Sequence, residues 1–174
     1  NDRPGLPITK SLMDPIDMSF NVGITPIGWG SFFNSLQTRG TLVKLNISYN
    51  PIGDVGAAAL GSLLSSITSL KYLDLNGTSD STTMIGQGVT AQGWVSFFNA
   101  LQDSNFDLVK LQLNSNNIDD EGIQLLVRAV SNMSSLKNLK LEGNHSVSFA
   151  GWQSLTGYLQ SPNNFALEEL HVDN

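Results

Sequence analysis

The stretch Leu108-Val-Lys-Leu111-Gln-Leu113-Asn-Ser-Asn116-Asn-Ile-Asp119-Asp-Glu-Gly122 decides the fold. Leucines at its first, fourth and sixth positions make the run end in apolar–polar alternation, the period of a short strand with one buried face. Beyond Gly122, apolar residues return at Leu126 and Val130, four and eight positions on, along one side of a helix. Asn and Asp fill the space between, as a turn requires. This stretch therefore predicts strand, turn, helix.

Working outward, the same opening recurs as Leu42-Val-Lys-Leu45-Asn-Ile47, Leu70-Lys-Tyr-Leu73-Asp-Leu75, Leu136-Lys-Asn-Leu139-Lys-Leu141 and Leu167-Glu-Glu-Leu170-His-Val172. A degenerate copy precedes them, with Met13, Ile16 and Met18 in the apolar slots, and successive starts are 29, 28, 38, 28 and 31 residues apart. The helical half recurs as Gly28, Phe32, Leu36; Gly56, Leu60, Leu64; Gly93, Phe97, Leu101; and Gly151, Leu155, Leu159, each read as a helix opened by glycine. One such unit cannot bury its apolar faces alone. Units laid side by side share a continuous core, and right-handed crossovers then place a parallel sheet inside a curve and helices outside. Asn21, Asn50, Asn116 and Asn144 each stand eight residues after a repeat start, where their amides are expected to bond the backbone of the adjacent coil. Thr78 takes that slot in the third unit, where this ladder is expected to weaken.

The units alternate. Gly28-Trp-Gly-Ser-Phe-Phe-Asn-Ser-Leu-Gln is nearly repeated by Gly93-Trp-Val-Ser-Phe-Phe-Asn-Ala-Leu-Gln and more loosely by Gly151-Trp-Gln-Ser-Leu-Thr-Gly-Tyr-Leu-Gln, while the units at Gly56 and Gly122 lack tryptophan. The tryptophans are read as packing between coils rather than as a ligand site.

These units resemble leucine-rich repeats of the ribonuclease-inhibitor-like class, most closely over Leu108–Gly122. The resemblance runs from about Met13 to Asn174 and implies an α/β solenoid, a right-handed β-α superhelix with a concave parallel sheet and convex helices. Residues 1–174 form one domain, with an irregular start over 1–12 and repeats from about 13, 42, 70, 108, 136 and 167. The pattern departs most between Gly77 and Gly88, where an insertion lengthens the loop before the helix. The chain stops just after a strand, so a longer solenoid or a second chain is expected to cover that end and make it part of a larger assembly.

Composition removes several function classes. With nine Lys and Arg and a formal net charge of −6, the chain has no basic patch to replace counterions on nucleic acid. It has no cysteine, hence no disulfide or thiolate site, and no apolar run approaches the length of a membrane-spanning helix. His145 and His171 fall at different repeat positions and suggest no catalytic pair, and no phosphate loop, dinucleotide fingerprint or zinc spacing is present. Asp119-Asp120-Glu121 is read as a helix start rather than a calcium site, since carboxylates cap free amides and suit the positive helix end. No cofactor, metal or catalytic activity is expected. Four glycosylation sequons, at Asn46, Asn76, Asn132 and Asn144, leave the compartment open.

The candidate surface is the concave face, carried by the non-leucine strand positions. Its partner-binding residues are expected to be Lys44, Asn46, Tyr72, Asp74, Lys110, Gln112, Lys140, Glu142, Glu169 and His171, joined by Met84 and Ile85 on the insertion loop. Charges of both signs around a tyrosine suit recognition of another protein. Six strands about 4.8 Å apart give a footprint on the order of 300 Å². A standard interface needs about 800 Å² per partner, so loops and rims must contribute. The resemblance thus implies a protein-binding scaffold. Two alternatives remain: regulation of a small GTPase, by analogy of fold alone, and recognition of a glycan or other extracellular ligand, which occupied sequons would favour.

Overall fold

The computed structural model describes residues 15–37, 42–79, 88–102, 108–160 and 167–172. Strands and helices alternate through them: β1 (Ile16–Asp17), α1 (Pro26–Leu36), β2 (Lys44–Asn46), α2 (Gly53–Ser66), β3 (Tyr72–Asp74), α3 (Ala91–Gln102), β4 (Lys110–Gln112), α4 (Asp120–Val130), β5 (Asn138–Lys140), α5 (Phe149–Leu159) and β6 (Glu169–His171). All six strands pair in parallel in chain order, β1 to β6. Ile16, Leu45, Leu73, Leu111, Leu139 and Leu170 face one another in register along a single row. The four central members of that row are buried, as are Ile47, Leu75, Leu113 and Leu141 two positions on. Each such side chain contributes about 1.5–3 kcal/mol when removed from water, so every coil adds a comparable increment to one interior. This is the solenoid that the leucine spacing predicts.

The helices begin two or three residues before the glycines read as their openings. Side chains set those starts: Thr25, Asp119 and Ser148 cap α1, α4 and α5, accepting from the amides of Gly28, Gly122 and Ala150. Asp119 thus performs the capping read from the acidic run. The glycines serve close approach instead. A Cβ at Gly28, Gly56, Gly93, Gly122 or Gly151 would lie 2.7–3.0 Å from the β-branched residue four positions earlier, namely Ile24, Ile52, Val89, Ile118 or Val147.

At Gly93 and Gly151 the crowding includes a carboxylate. Asp54, in the first turn of α2, accepts from the backbone amide and hydroxyl of Thr90, each at 2.8 Å, just before α3. Asp120 of α4 grips Ser148 in the same way, at 2.7 and 2.6 Å, before α5. Tryptophan-bearing α3 and α5 therefore receive an aspartate from the tryptophan-free helix ahead, which gives the alternation of unit types a physical basis. The first two tryptophan helices carry matching aromatic clusters. Trp29 stacks on Phe33 with Phe32 at its edge, and Trp94 stacks on Phe98 with Phe97 at its edge. Trp29 and Trp94 are buried and Trp152 is half-buried, so packing is their structural role.

The asparagine ladder forms between coils. The side-chain amide of Asn144 donates to the carbonyls of Leu113 and Leu141, while its oxygen accepts from the amides of Asn116 and Ile118. Asn116 donates back to Leu75, and its oxygen accepts from Thr78 and Ser79. Asn50 donates to Met18. Asn21 departs from the expectation: it is exposed, and among the described residues its side-chain amide donates to Met18 and Ser19 of its own coil. The single hydroxyl hydrogen of Thr78 goes to Asn116, so it carries the ladder towards the fourth coil and not back to the second. The insertion leaves and rejoins at neighbouring points: the Val89 amide donates to the Thr78 carbonyl, and Gly88 rests against the Ser79 backbone.

Candidate binding surface

Three side-chain rows cross the concave face. The register places Lys44, Tyr72, Lys110, Asn138 and Glu169 in one row and Asp17, Asn46, Asp74, Gln112, Lys140 and His171 in the next. The third row, just beyond the strands, includes Asn76, Asn114 and Glu142. It is knitted by side chains: the Asn114 amide donates to a Glu142 oxygen at 2.8 Å, and the backbone amides of Asn114 and Glu142 donate to Asn76 and Asn114.

Six of the expected residues meet in one place. Lys44, Asn46, Tyr72, Asp74, Lys110 and Gln112 line a depression of about 340 Å³, floored by Leu45 and Leu73. Tyr72 stands 42% exposed within it, a large amphipathic ring of the kind that anchors protein interfaces. Asp74 sits low in the depression, accepting from the Asn76 backbone and the Gln112 side-chain amide. Burial pushes its carboxyl above the ordinary aspartate value, opposed by the Asn76 amide and by Lys110 and Lys44. Asp17 is shifted the other way, held down by the backbone amide and hydroxyl of Ser19.

Lys140, Glu142, Glu169 and His171 lie on the same face but outside the depression. His171 is 3.5 Å from Glu142 and 3.9 Å from Glu169, and Asn138 also bonds Glu169. Met84 and Ile85 lie outside the described residues.

One feature of this edge has no counterpart among the expected site residues. The seventh residue after each of the first five repeat starts turns left-handed: Phe20, Tyr49, Gly77, Ser115 and Gly143 have φ between 57° and 70°. An aromatic residue is costly there, yet Phe20 and Tyr49 stack at 4.6 Å with 68% and 46% exposure. Tyr49 in turn covers Gly77, where a Cβ would come within 2.7 Å of its ring. The available signal was an aromatic at a position that two other copies give to glycine.

Among the described residues no helix is long and apolar enough to cross a membrane, and no three His, Asp or Glu side chains are grouped to hold a metal. Asn144 is buried with its amide fully engaged, whereas Asn132 is exposed, so the sequons differ sharply in access.

Parallel strands in register, convex helices and an asparagine ladder define a leucine-rich-repeat solenoid. The family model described as Leucine Rich repeat matches residues 41–61 and 104–127. Ribonuclease inhibitor of Sus scrofa is 32% identical over 152 residues, covering 87% of this chain and 31% of the inhibitor. Leucine-rich repeat-containing protein 73 of Homo sapiens is 31% identical over 112 residues, 64% of this chain and 33% of that protein. The chain thus spans about a third of the length of the curated relatives it matches. Among solved structures, Leiomodin-1 Actin-Binding Site 2 superposes with a TM-score of 0.62 at 16% identity, covering 83% of this chain and 78% of that one, a likeness of fold. The chain carries leucine-rich repeats and is ribonuclease-inhibitor-like.

Proposed function

We propose that this chain is a non-catalytic scaffold that holds another protein on its concave face, with Tyr72 as the central anchor. The observation that carries this reading is the convergence of five polar side chains around one exposed tyrosine on the sheet. The knitted third row and the His171 ring set between Glu142 and Glu169 form a polar flank to that anchor. The stacked Phe20–Tyr49 pair extends the contact beyond the sheet and supplies apolar area that six short strands lack. The name of the leiomodin-1 segment, an actin-binding site, agrees with a protein partner for this architecture but does not identify one.

A photo-crosslinking residue placed at Tyr72, and separately at exposed Gln124 on α4, tests this in an extract of the native source. The proposal expects a discrete adduct from the Tyr72 position and none from the Gln124 position. Adducts from the convex position alone would refute it.

A further inference from the structure

We propose that the depression between β2 and β4 is a carboxylate seat, in which an acidic side chain of the partner protein is held between Lys44 and Lys110 beside an aromatic or apolar residue packed on Tyr72. This rests on the concave-face reading above and adds the chemistry of what binds there.

Register sets the geometry. Lys44, Tyr72 and Lys110 are direct neighbours across three parallel strands. With strands about 4.8 Å apart, the two lysines leave the sheet about 10 Å from each other. Two long flexible side chains at that spacing can converge on one anion above the ring. A cavity of about 340 Å³ accommodates a carboxylate side chain and a neighbouring residue, not a large ligand.

Charge sets the preference. Among the described residues neither Lys44 nor Lys110 has an ion pair within 4.0 Å, whereas Lys137 pairs with Glu168 and His171 lies between Glu142 and Glu169. Asp74 accepts from Asn76 and Gln112 and Asp17 from Ser19, all neutral donors, so both carboxylates keep their charge and attract Lys44, as Asp74 does Lys110. The lining sets two lysines against the single carboxylate of Asp74, a small net positive spot on a chain of formal charge −6. An acidic partner is repelled by the chain's net negative charge and attracted locally by these lysines, which helps set its register. Two lysines are too few for a nucleic-acid backbone, which needs an extended run of cations.

The test uses fluorescence anisotropy of the full chain with two labelled peptides of equal length. One carries glutamate and phenylalanine in a serine background, and the other has lysine at every glutamate position. The seat predicts that the acidic peptide binds, that the basic one does not, and that salt weakens the binding. Exposed ion pairs predict about a three- to fivefold loss for each lysine removed, hence about tenfold or more for K44A with K110A. Tyr72→Ala also weakens binding, and R128A, on the last turn of α4 across the solenoid from the sheet, leaves it unchanged. No binding of the acidic peptide at millimolar concentration, binding indifferent to the double substitution, or preference for the basic peptide would each overturn the seat. None of these results bears on the crosslink from Tyr72, which decides separately whether the concave face is used at all.

Discussion

Replacing Gly93 by alanine tests the interlocking of successive helices. In an exposed helix this change ordinarily stabilises by about 1 kcal/mol, because alanine loses less backbone entropy. Here the new methyl would stand 2.1 Å from Asp54 Oδ1 and 2.8 Å from Val89 Cγ1. The carboxylate has to move, and with it go both of its bonds to Thr90, each at 2.8 Å. Bonds to an ionised group are worth about 1.5–3 kcal/mol when shielded, and closer to 1 kcal/mol each at an exposed site such as this. Overpacking against Val89 adds about 1–3 kcal/mol. Set against the alanine gain, the net loss is about 2–4 kcal/mol, or about 4–16 °C in Tm for a chain of this size. Gly157 supplies the control, because a Cβ there meets nothing within 4 Å, so Gly157→Ala should stabilise by about 0.5–1 kcal/mol. Urea titration of both variants and of G93A with D54A reads the effect, and the double variant should recover part of the loss. A G93A protein as stable as Gly157→Ala would refute the reasoning.

Other substitutions probe separate parts of the structure. Asn116→Ala removes a buried amide that serves Leu75, Thr78 and Ser79, and should cost about 3–5 kcal/mol in urea titration; Asn21→Ala, at the exposed end of the ladder, should cost under about 1 kcal/mol. Gly77→Ala forces an L-residue to φ +64° beneath Tyr49, at about 1–2 kcal/mol, and should separate the Phe20–Tyr49 stack, read as a changed near-ultraviolet dichroism signal. Asp120 is held below the ordinary aspartate range by the Ser148 hydroxyl and amide, so its contribution is present above the unfolded value near 3.8 and disappears as pH falls through the lower folded value. D120N should therefore lose less stability than the parent as pH falls below the unfolded value near 3.8. Asp74, raised by burial, has the opposite sign, and D74N should be more stable than the parent at pH 7. In a glycosylating host, peptide mapping of the folded product should find Asn144 unmodified, since its amide is fully bonded and buried.

The strands, their parallel order and the inward leucine row were legible because a short period carries them: Leu45, Leu73, Leu111 and Leu139 announce themselves by local spacing alone. The asparagine ladder was legible for the same reason, apart from Asn21. What escaped depends on which side chain meets which across coils of unequal length. Asp54 lies 36 residues from Thr90, and nothing in local spacing predicts their bond. The glycine of each helix reads as an opening signal until the β-branched residue four positions earlier is seen resting on it. Of the concave residues, spacing marked the face but not the depression, because it could not tell that Lys44, Tyr72 and Lys110 converge around Asp74 while Glu142, Glu169 and His171 gather elsewhere. Phe20 and Tyr49 escaped because left-handed backbone at a bulky aromatic runs against residue preference.

Through-hydrogen-bond scalar couplings measured by NMR test the coil stacking most directly. The amides of Ile47, Leu75, Leu113 and Leu141 donate to the carbonyls of Asp74, Gln112, Lys140 and His171, one coil further on, at 2.8–3.0 Å. Stacking in this register predicts four correlations, one for each pair. Correlations from these amides to any other carbonyls would contradict the stacking, and with it the row that brings Lys44, Tyr72 and Lys110 together.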